Sequence, residues 1–277
     1  MVKNIFLLIL CFFLWMNLVQ ATPVSTDLRL WLKADSFTGL SDGTYVSSWT
    51  DNSSYQHNAS SSGSTMPRFY STGLNGKAAL YFDGSDDQMG IAGSLDYAFT
   101  EMTMFIVSQG TGAAISIAKD GTQTEQEYLF GWNTMYHHTS DGNYTYRSPH
   151  TSVSSPYIAT GAMGASPYDL TYRVNGDTST NGIGQSGSVN NMTAVSRNIT
   201  IGRRTFYANR EPFGGYISEI LVYGHKLTTT EMNSVELYLA AKYNIEHVLP
   251  VPEASSLFLL FSGVFLVSFI QRIFRKG

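Results

Sequence analysis

Cysteine is nearly missing from this chain. Its one copy, Cys11, sits in an apolar run close to the N-terminus, so everything downstream folds without an internal disulfide. Charge is scarce too: charged residues make up 14% of the sequence where about a quarter is usual, and the formal net charge is -4. A nucleic-acid binder needs a basic stripe, so nucleic acid is set aside as a partner. Metal-ligand spacings are also lacking. There is no C-x-x-C and no H-E-x-x-H, and His57, His150, His225 and His247 are scattered. His137 and His138 are adjacent, and neighbours in an extended segment point to opposite faces, so they do not share a metal. No internal repeat is visible. What fills the chain instead is Gly, Ser, Thr, Asn and 17 tyrosines.

Both ends read as addresses. Lys3 precedes an apolar run from Ile5 to Met16, with Val19 and Ala21 at the small-residue positions of a signal-peptidase site. Residues 1–21 are therefore expected to be a signal peptide, with signal peptidase as a partner. At the other end Ala254 to Ile270 is an apolar stretch of 17 residues, about 26 Å as a helix and close to the thickness of a bilayer core. Arg272, Arg275 and Lys276 follow, and the positive-inside bias keeps that tip in the cytoplasm with everything before it outside. The expected organisation is a domain over 22–249 and a tail over 250–277, whose transmembrane helix at 254–270 holds the chain in the inner membrane.

Between the ends the dominant period is two. Leu28, Leu30 and Leu32 alternate with Arg29, Trp31 and Lys33; Ala78, Leu80 and Phe82 alternate with Ala79 and Tyr81; Leu170, Tyr172 and Val174 alternate with Thr171 and Arg173. Met102–Ser108, Asn198–Gly202 and Tyr216–Tyr223 are further runs of this kind. Asp42-Gly43, Asn75-Gly76, Asp83-Gly84, Asp120-Gly121, Asp141-Gly142, Asn175-Gly176 and Asn181-Gly182 tolerate positive φ and favour tight hairpins. Many short strands with this punctuation predict an all-β antiparallel sandwich or barrel. One helix breaks the pattern. Thr228 and Glu231 form a capping box, and Met232, Val235, Leu239 and Tyr243 follow on one face, which predicts a helix lying across the end of a sheet. The Ser-rich stretch from Asn52 to Thr65 reads as a long loop.

Several chemical motifs fail on context. Gly39-Leu40-Ser41-Asp42-Gly43 matches a nucleophile elbow, but Thr44–Trp49 continues as a strand rather than a helix, so a hairpin loop is expected. Gly182 to Gly187 fits G-x-G-x-x-G without a βαβ setting and reads as a flexible loop. Glycoside hydrolysis requires paired carboxylates; Glu125 and Glu127, two apart, face the same way but lack a third acid. Asp83, Asp86 and Asp87 crowd a glycine turn and offer hard oxygen ligands compatible with calcium, although a turn needs such residues anyway. Trp132, Tyr136, Tyr144, Tyr146 and Tyr157 lie in the polar centre of the chain, where flat ring faces could cover a sugar; packing across strands is the alternative for each.

The segments LRLWLKADSFTGLSDGTYVSSWTDNS, GLNGKAALYFDGSDDQM and ISEILVYGHKLTTTEMNSVELYLAAKYNI resemble the LamG-like jelly rolls of the concanavalin A-like lectin and glucanase group. They frame the region from about Leu28 to Ile245; Gly110 to Asn190 has no counterpart. The final VPEASSLFLLFSGVFLVSFIQRIFRKG is similar to a PEP-CTERM tail, with Ala254 where a second proline is usual. That resemblance implies an exosortase-type membrane protease as partner, with Pro252, Glu253 and Arg272 as sorting residues, and release to the cell surface of a Gram-negative bacterium. The combined expectation is a non-catalytic, exported domain binding carbohydrate or another matrix component such as extracellular polysaccharide. A structural biofilm or adhesion protein without a defined ligand, and a glycoside hydrolase, are the alternatives.

Overall fold

The computed structural model describes residues 23–119, 127–131, 134–138, 143–149, 155–166, 168–177, 180–186, 191, 193–205 and 211–248, with only the backbone of 95, 147–149 and 180–186. In chain order the strands are β1 (Leu28–Lys33), β2 (Ser48–Trp49), β3 (Ala59–Ser60), β4 (Arg68–Leu74), β5 (Lys77–Asp83), β6 (Met89–Ser94), β7 (Met102–Thr111) and β8 (Ala113–Lys119). They continue as β9 (Glu127–Gly131), β10 (Thr134–His138), β11 (Tyr144–Pro149), β12 (Tyr157–Met163), β13 (Leu170–Val174), β14 (Thr180–Ser186), β15 (Arg197–Ile201) and β16 (Gly214–Tyr223). Among the described residues there is one α-helix, α1 (Thr229–Tyr243).

The strands form two antiparallel sheets. One runs β13-β12-β7-β16-β5-β4, with β1 also on β16; the other runs β14-β11-β10-β9-β8-β15-β6-β3-β2. Period-two alternation points Leu30, Leu32, Leu80, Phe82, Ile115, Ile117, Tyr128, Phe130, Ile199 and Ile201 into the shared core, which makes a β-sandwich.

The helix packs on the outer face of the first sheet instead of crossing its end. Met232, Val235, Leu239 and Tyr243 meet Phe105, Val107, Ile158, Leu221 and Tyr223 in a second apolar layer. Burial of this kind contributes roughly 1.5–3 kcal/mol per large apolar side chain. That layer explains why β7 is buried on both faces along Met102–Ser108, with no alternation to see. The capping box forms as predicted: Thr228 Oγ1 accepts the Glu231 N–H (3.3 Å), and Glu231 Oε2 accepts the Thr228 N–H (2.9 Å). Beneath the helix, buried Glu219 accepts from Trp31 Nε1 (2.6 Å), Lys242 Nζ (2.7 Å), Tyr243 OH (2.8 Å) and Tyr238 OH (3.1 Å), tying β1, β16 and α1 together.

Turn chemistry works as the dipeptides predict where both positions are left-handed. Asn75 (φ 47) and Gly76 (φ 72) close the β4–β5 hairpin. Asn175 (φ 51) and Gly176 (φ 81) make the same turn, but β14 then leaves for the other sheet and pairs with β11. The Gly182–Ser186 segment is thus strand, not loop, because Gly184 and its neighbours are held in the ladder opposite Tyr146. The Ser-rich stretch contains β3 and a 3-10 turn at Gly63–Thr65. Buried Asp51 organises its start, accepting the N–H of Trp31 (2.8 Å), Ser53 (2.9 Å) and His57 (2.9 Å). Among the described residues no helix is long and apolar enough to cross a membrane; the signal-peptide and 254–270 expectations lie outside the described residues.

Candidate functional site

Strand alternation decides which residues reach the outer face of the nine-stranded sheet. On β10, Met135 and His137 are buried inward, so Tyr136 and His138 face out. Inward Tyr128 and Phe130 turn Glu127 and Leu129 outward on β9, and inward Ile115 and Ile117 do the same for Ser116 on β8. Pairing then aligns these positions. Tyr146 lies opposite Tyr136, Tyr136 opposite Leu129, Leu129 opposite Ser116, Ser116 opposite Thr200, Thr200 opposite Gly90, and Gly90 opposite Ser60. One ladder row therefore crosses β11, β10, β9, β8, β15, β6 and β3, about 29 Å at ~4.8 Å per strand.

At one end of the row sits a tyrosine platform. Ring centroids of Tyr136 and Tyr146 are 5.6 Å apart, Tyr136 and Tyr144 6.2 Å, and Tyr144 and Tyr146 6.2 Å. His138 joins it, 5.6 Å from Tyr136 and 5.3 Å from Tyr144. All four side chains are half-buried, leaving part of each ring open. At the other end Ser60, Ser61, Ser62, Thr65, Gln88, Gly90 and Thr200 line an open groove of about 330 Å³.

Between the two ends the outward-pointing Glu127, Leu129 and Ser116 are themselves buried (2%, 1% and 0% exposed), and a polar network, the floor of this face, runs through them. Arg204 Nε donates to Glu127 Oε2 (2.8 Å), and Ser116 Oγ donates to Glu127 Oε1 (2.6 Å). Thr205 Oγ1 lies 2.9 Å from Ser116 Oγ and 3.1 Å from Thr200 Oγ1, carrying the chain of hydroxyls into the groove. Arg204 also stands 3.5 Å from Glu211 Oε2. Burial pushes the Glu127 carboxyl up, against the pull of the Arg204 and Ser116 bonds. Burial, then Arg204 and His137, hold the His138 imidazole down to about 3. A guanidinium cannot accept, so neutral His138 takes the Arg204 Nη2 hydrogen at Nε2 (3.3 Å).

The structure thus brings Tyr136, Tyr144 and Tyr146 together. Tyr157 is instead a core residue on β12, facing the other sheet. Trp132 and Glu125 lie outside the described residues, as do Pro252, Glu253 and Arg272. His137 and His138 do point to opposite faces: His137 stacks on Tyr128 inside, 5.7 Å between centroids. Sequence reasoning missed Arg204, Thr205, Ser116 and Thr200, which become neighbours only through strand pairing. Glu127, half of the candidate catalytic pair with Glu125, has both carboxylate oxygens engaged, by Arg204 and Ser116.

Asp83, Asp86 and Asp87 also converge, one oxygen from each lying within 4.8 Å of the others. Asp83 Oδ1 accepts the N–H of Ser85 (2.8 Å) and Asp86 (3.3 Å), and Asp87 Oδ2 accepts the Asp83 N–H (2.9 Å), so part of the oxygen set already serves the turn. Burial, opposed by that backbone bond, pushes the Asp87 carboxyl up to about 6, with Asp83 and Asp86 adding to it. The trio supplies hard ligands of the type calcium takes, short of the 6–8 oxygens it requires.

No family model and no curated relative matches the sequence. Solved structures do share the fold. Domain 4 of AbnA, a GH43 extracellular arabinanase from Geobacillus stearothermophilus, in complex with arabinotriose, superposes with a TM-score of 0.51 at 11% identity, covering 75% of this chain and 97% of that one. Trypanosoma rangeli sialidase gives a TM-score of 0.46 at 14% identity over 79% of this chain, which spans 33% of the sialidase. The binding domain of Paraclostridial mosquitocidal protein 1 gives 0.46 at 11%, covering 79% of this chain and 53% of that one. At these identities the likeness establishes a β-sandwich and nothing finer.

Proposed function

We propose that this chain is a non-catalytic carbohydrate-binding sandwich of the LamG-like, concanavalin A-like jelly-roll kind, exported and presented at the cell surface or in the extracellular matrix. The ladder row from Tyr146 to Ser60 carries the reading. It sets open ring faces, suited to the C–H face of a sugar, in line with a hydroxyl-lined groove that can exchange hydrogen bonds with sugar hydroxyls. The arabinotriose complex of the AbnA domain supports taking a neutral saccharide as the ligand class. Both oxygens of Glu127 are occupied and its side chain is only 2% exposed, which favours a role in the floor over one as acid or nucleophile. Export, signal-peptidase and exosortase processing, and transient residence in the inner membrane are proposed on the sequence of the two ends.

Affinity electrophoresis in gels containing arabinan, laminarin or hydroxyethylcellulose tests the binding reading. Retardation of the wild type that is weakened or lost in Tyr136→Ala/Tyr146→Ala, at unchanged thermal midpoint, supports it. Equal retardation of wild type and variant overturns this face as the site, and no retardation at all leaves a structural matrix protein. Release of reducing ends that disappears in Glu127→Gln would instead establish the hydrolase. Intact masses of the protein from medium and from membranes test both processing events.

A further inference from the structure

A second set of tyrosines lies on the opposite side of the sandwich. On the outer face of the seven-stranded sheet, Arg68 pairs across to Tyr81, and Tyr81 to Tyr216. Tyr70 flanks them, and the three rings close a triangle with centroid separations of 5.1 Å (Tyr81–Tyr216), 5.9 Å (Tyr70–Tyr216) and 6.1 Å (Tyr70–Tyr81). The helix layer covers the other part of this face, where Phe105, Leu221 and Tyr223 lie, and leaves these three rings half-buried.

The surface is built rather than incidental. Gly73 on the edge strand lets the Tyr216 ring lie against the backbone: a Cβ there would sit 2.9 Å from two ring carbons. Arg68 Nη2 donates to Tyr45 OH (2.7 Å) while its guanidinium lies over the Tyr45 ring at 4.8 Å from the centroid. Tyr45, bridged antiparallel to Arg68 at the edge of the sheet, is 52% exposed, so the aromatic surface continues beyond β4 onto the segment that pairs with it. Cross-strand packing accounts for the contacts among these rings, but it does not require Tyr45 to leave half of its surface open to solvent.

We propose that Tyr45, Tyr70, Tyr81 and Tyr216, with Arg68, form a second binding site for neutral polysaccharide, so that one molecule engages two separate glycan strands. The chemistry repeats that of the first face: three tyrosines from neighbouring strands beside a guanidinium whose donors are partly engaged within the protein. A protein partner or second copy fits poorly. Among the described residues the other large hydrophobics that are exposed, Tyr168, Leu237 and Val248, are elsewhere in sequence, and the single exposed ring here is far short of the ~1,000 Å² that a stable interface buries. The two platforms are separated by the sandwich core, on the order of 20 Å with the side chains included, so one extended strand does not lie on both. A bivalent protein of this design cross-links its polysaccharide.

The test uses the full chain with the same three polysaccharides, and reads retardation in gels and clouding of polysaccharide solutions. Wild type is expected to be retarded and to cloud. Tyr81→Leu/Tyr216→Leu, which keeps apolar bulk and loses the rings, is expected to be retarded still through the first face while clouding is lost; adding Tyr136→Ala/Tyr146→Ala abolishes retardation. Clouding by the leucine variant equal to wild type overturns the second site and leaves the first standing. Clouding and retardation unchanged in Tyr136→Ala/Tyr146→Ala overturn the first reading instead, and a wild type that is never retarded removes both. If the leucine variant does not fold, tetranitromethane nitration of wild type decides: protection of Tyr81 and Tyr216 by bound polysaccharide supports the site, and equal nitration with and without it overturns the proposal.

Discussion

Arg204→Met removes a guanidinium while keeping much of its aliphatic stem, and so isolates the ion pair in the floor of the tyrosine face. The wild-type pair is well buried, with the Arg204 side chain 14% and the Glu127 side chain 2% exposed. Without Arg204 the Glu127 carboxylate keeps one bond, from Ser116. Leaving one partner of a buried pair alone costs about 3–5 kcal/mol, which for a domain of this size is roughly 6–20 °C in thermal midpoint. The loss carries its own pH signature. Burial already raises the Glu127 carboxyl, and removing the arginine raises it further, so the folded state of the variant holds a proton that the unfolded chain releases near 4.3. A raised carboxyl contributes stability that is present below the unfolded value and lost as pH rises through the folded one. Unfolding scans should therefore find Arg204→Met closer to wild type at about pH 5 than at about pH 8. Glu127→Gln/Arg204→Met, which removes the stranded charge, should recover at least half of the loss at the higher pH. A midpoint within about 2 °C of wild type, or a loss insensitive to both acid and the glutamine, would refute the buried pair.

Calcium gives a second prediction. Asp87, pushed up to about 6 chiefly by burial and further by Asp83 and Asp86, contributes stability that is present below the unfolded value and is lost as pH rises through about 6. If the trio holds the ion, millimolar calcium raises the thermal midpoint near pH 7.5 and Asp87→Asn removes the rise; no shift in the wild type leaves Asp83, Asp86 and Asp87 as a turn. Thr228→Ala breaks the capping box and should cost about 1 kcal/mol, or roughly 2–4 °C. Hydrogen exchange should rise first in the opening turn of α1, and protection equal to wild type there would show that the cap contributes nothing.

The sandwich was legible because its signals are local. Alternation in Leu28–Lys33 and Lys77–Asp83, the Asn75-Gly76 turn and the Thr228/Glu231 cap each fit inside a window of a few residues. The helix position was not, because the outer apolar layer under it is written as a continuous run in β7, which reads equally as a strand buried for any reason. The tyrosine platform was half legible. Tyr144 and Tyr146 share a face by alternation, but their meeting with Tyr136 depends on the β10–β11 register. Nothing in the neighbourhood of Tyr157 separates it from them; only its pairing with Ser108, deep in the first sheet, does. Ser116 and Arg204 stand 88 positions apart and share Glu127 because β15 lies beside β8, a fact of topology that no motif encodes.

If the face binds saccharides, as proposed, the floor also bears on which ones it can take. Among the described residues Arg204 is the cation of this floor, and Glu127, Glu211 and His138 all draw on its donors. An anionic sugar would have to displace a buried carboxylate from it, at a cost near that of breaking the pair itself. His138, held neutral down to about 3, adds no positive charge at ordinary pH. A neutral saccharide disturbs none of this. It needs ring faces for its C–H surface and hydroxyls for its own, and the row from Tyr146 through Thr200 to Ser60 offers those two in sequence. On the proposed reading, the ion pair holds the platform and the groove in register while leaving no net charge buried between them, so its loss should weaken the proposed binding by both routes.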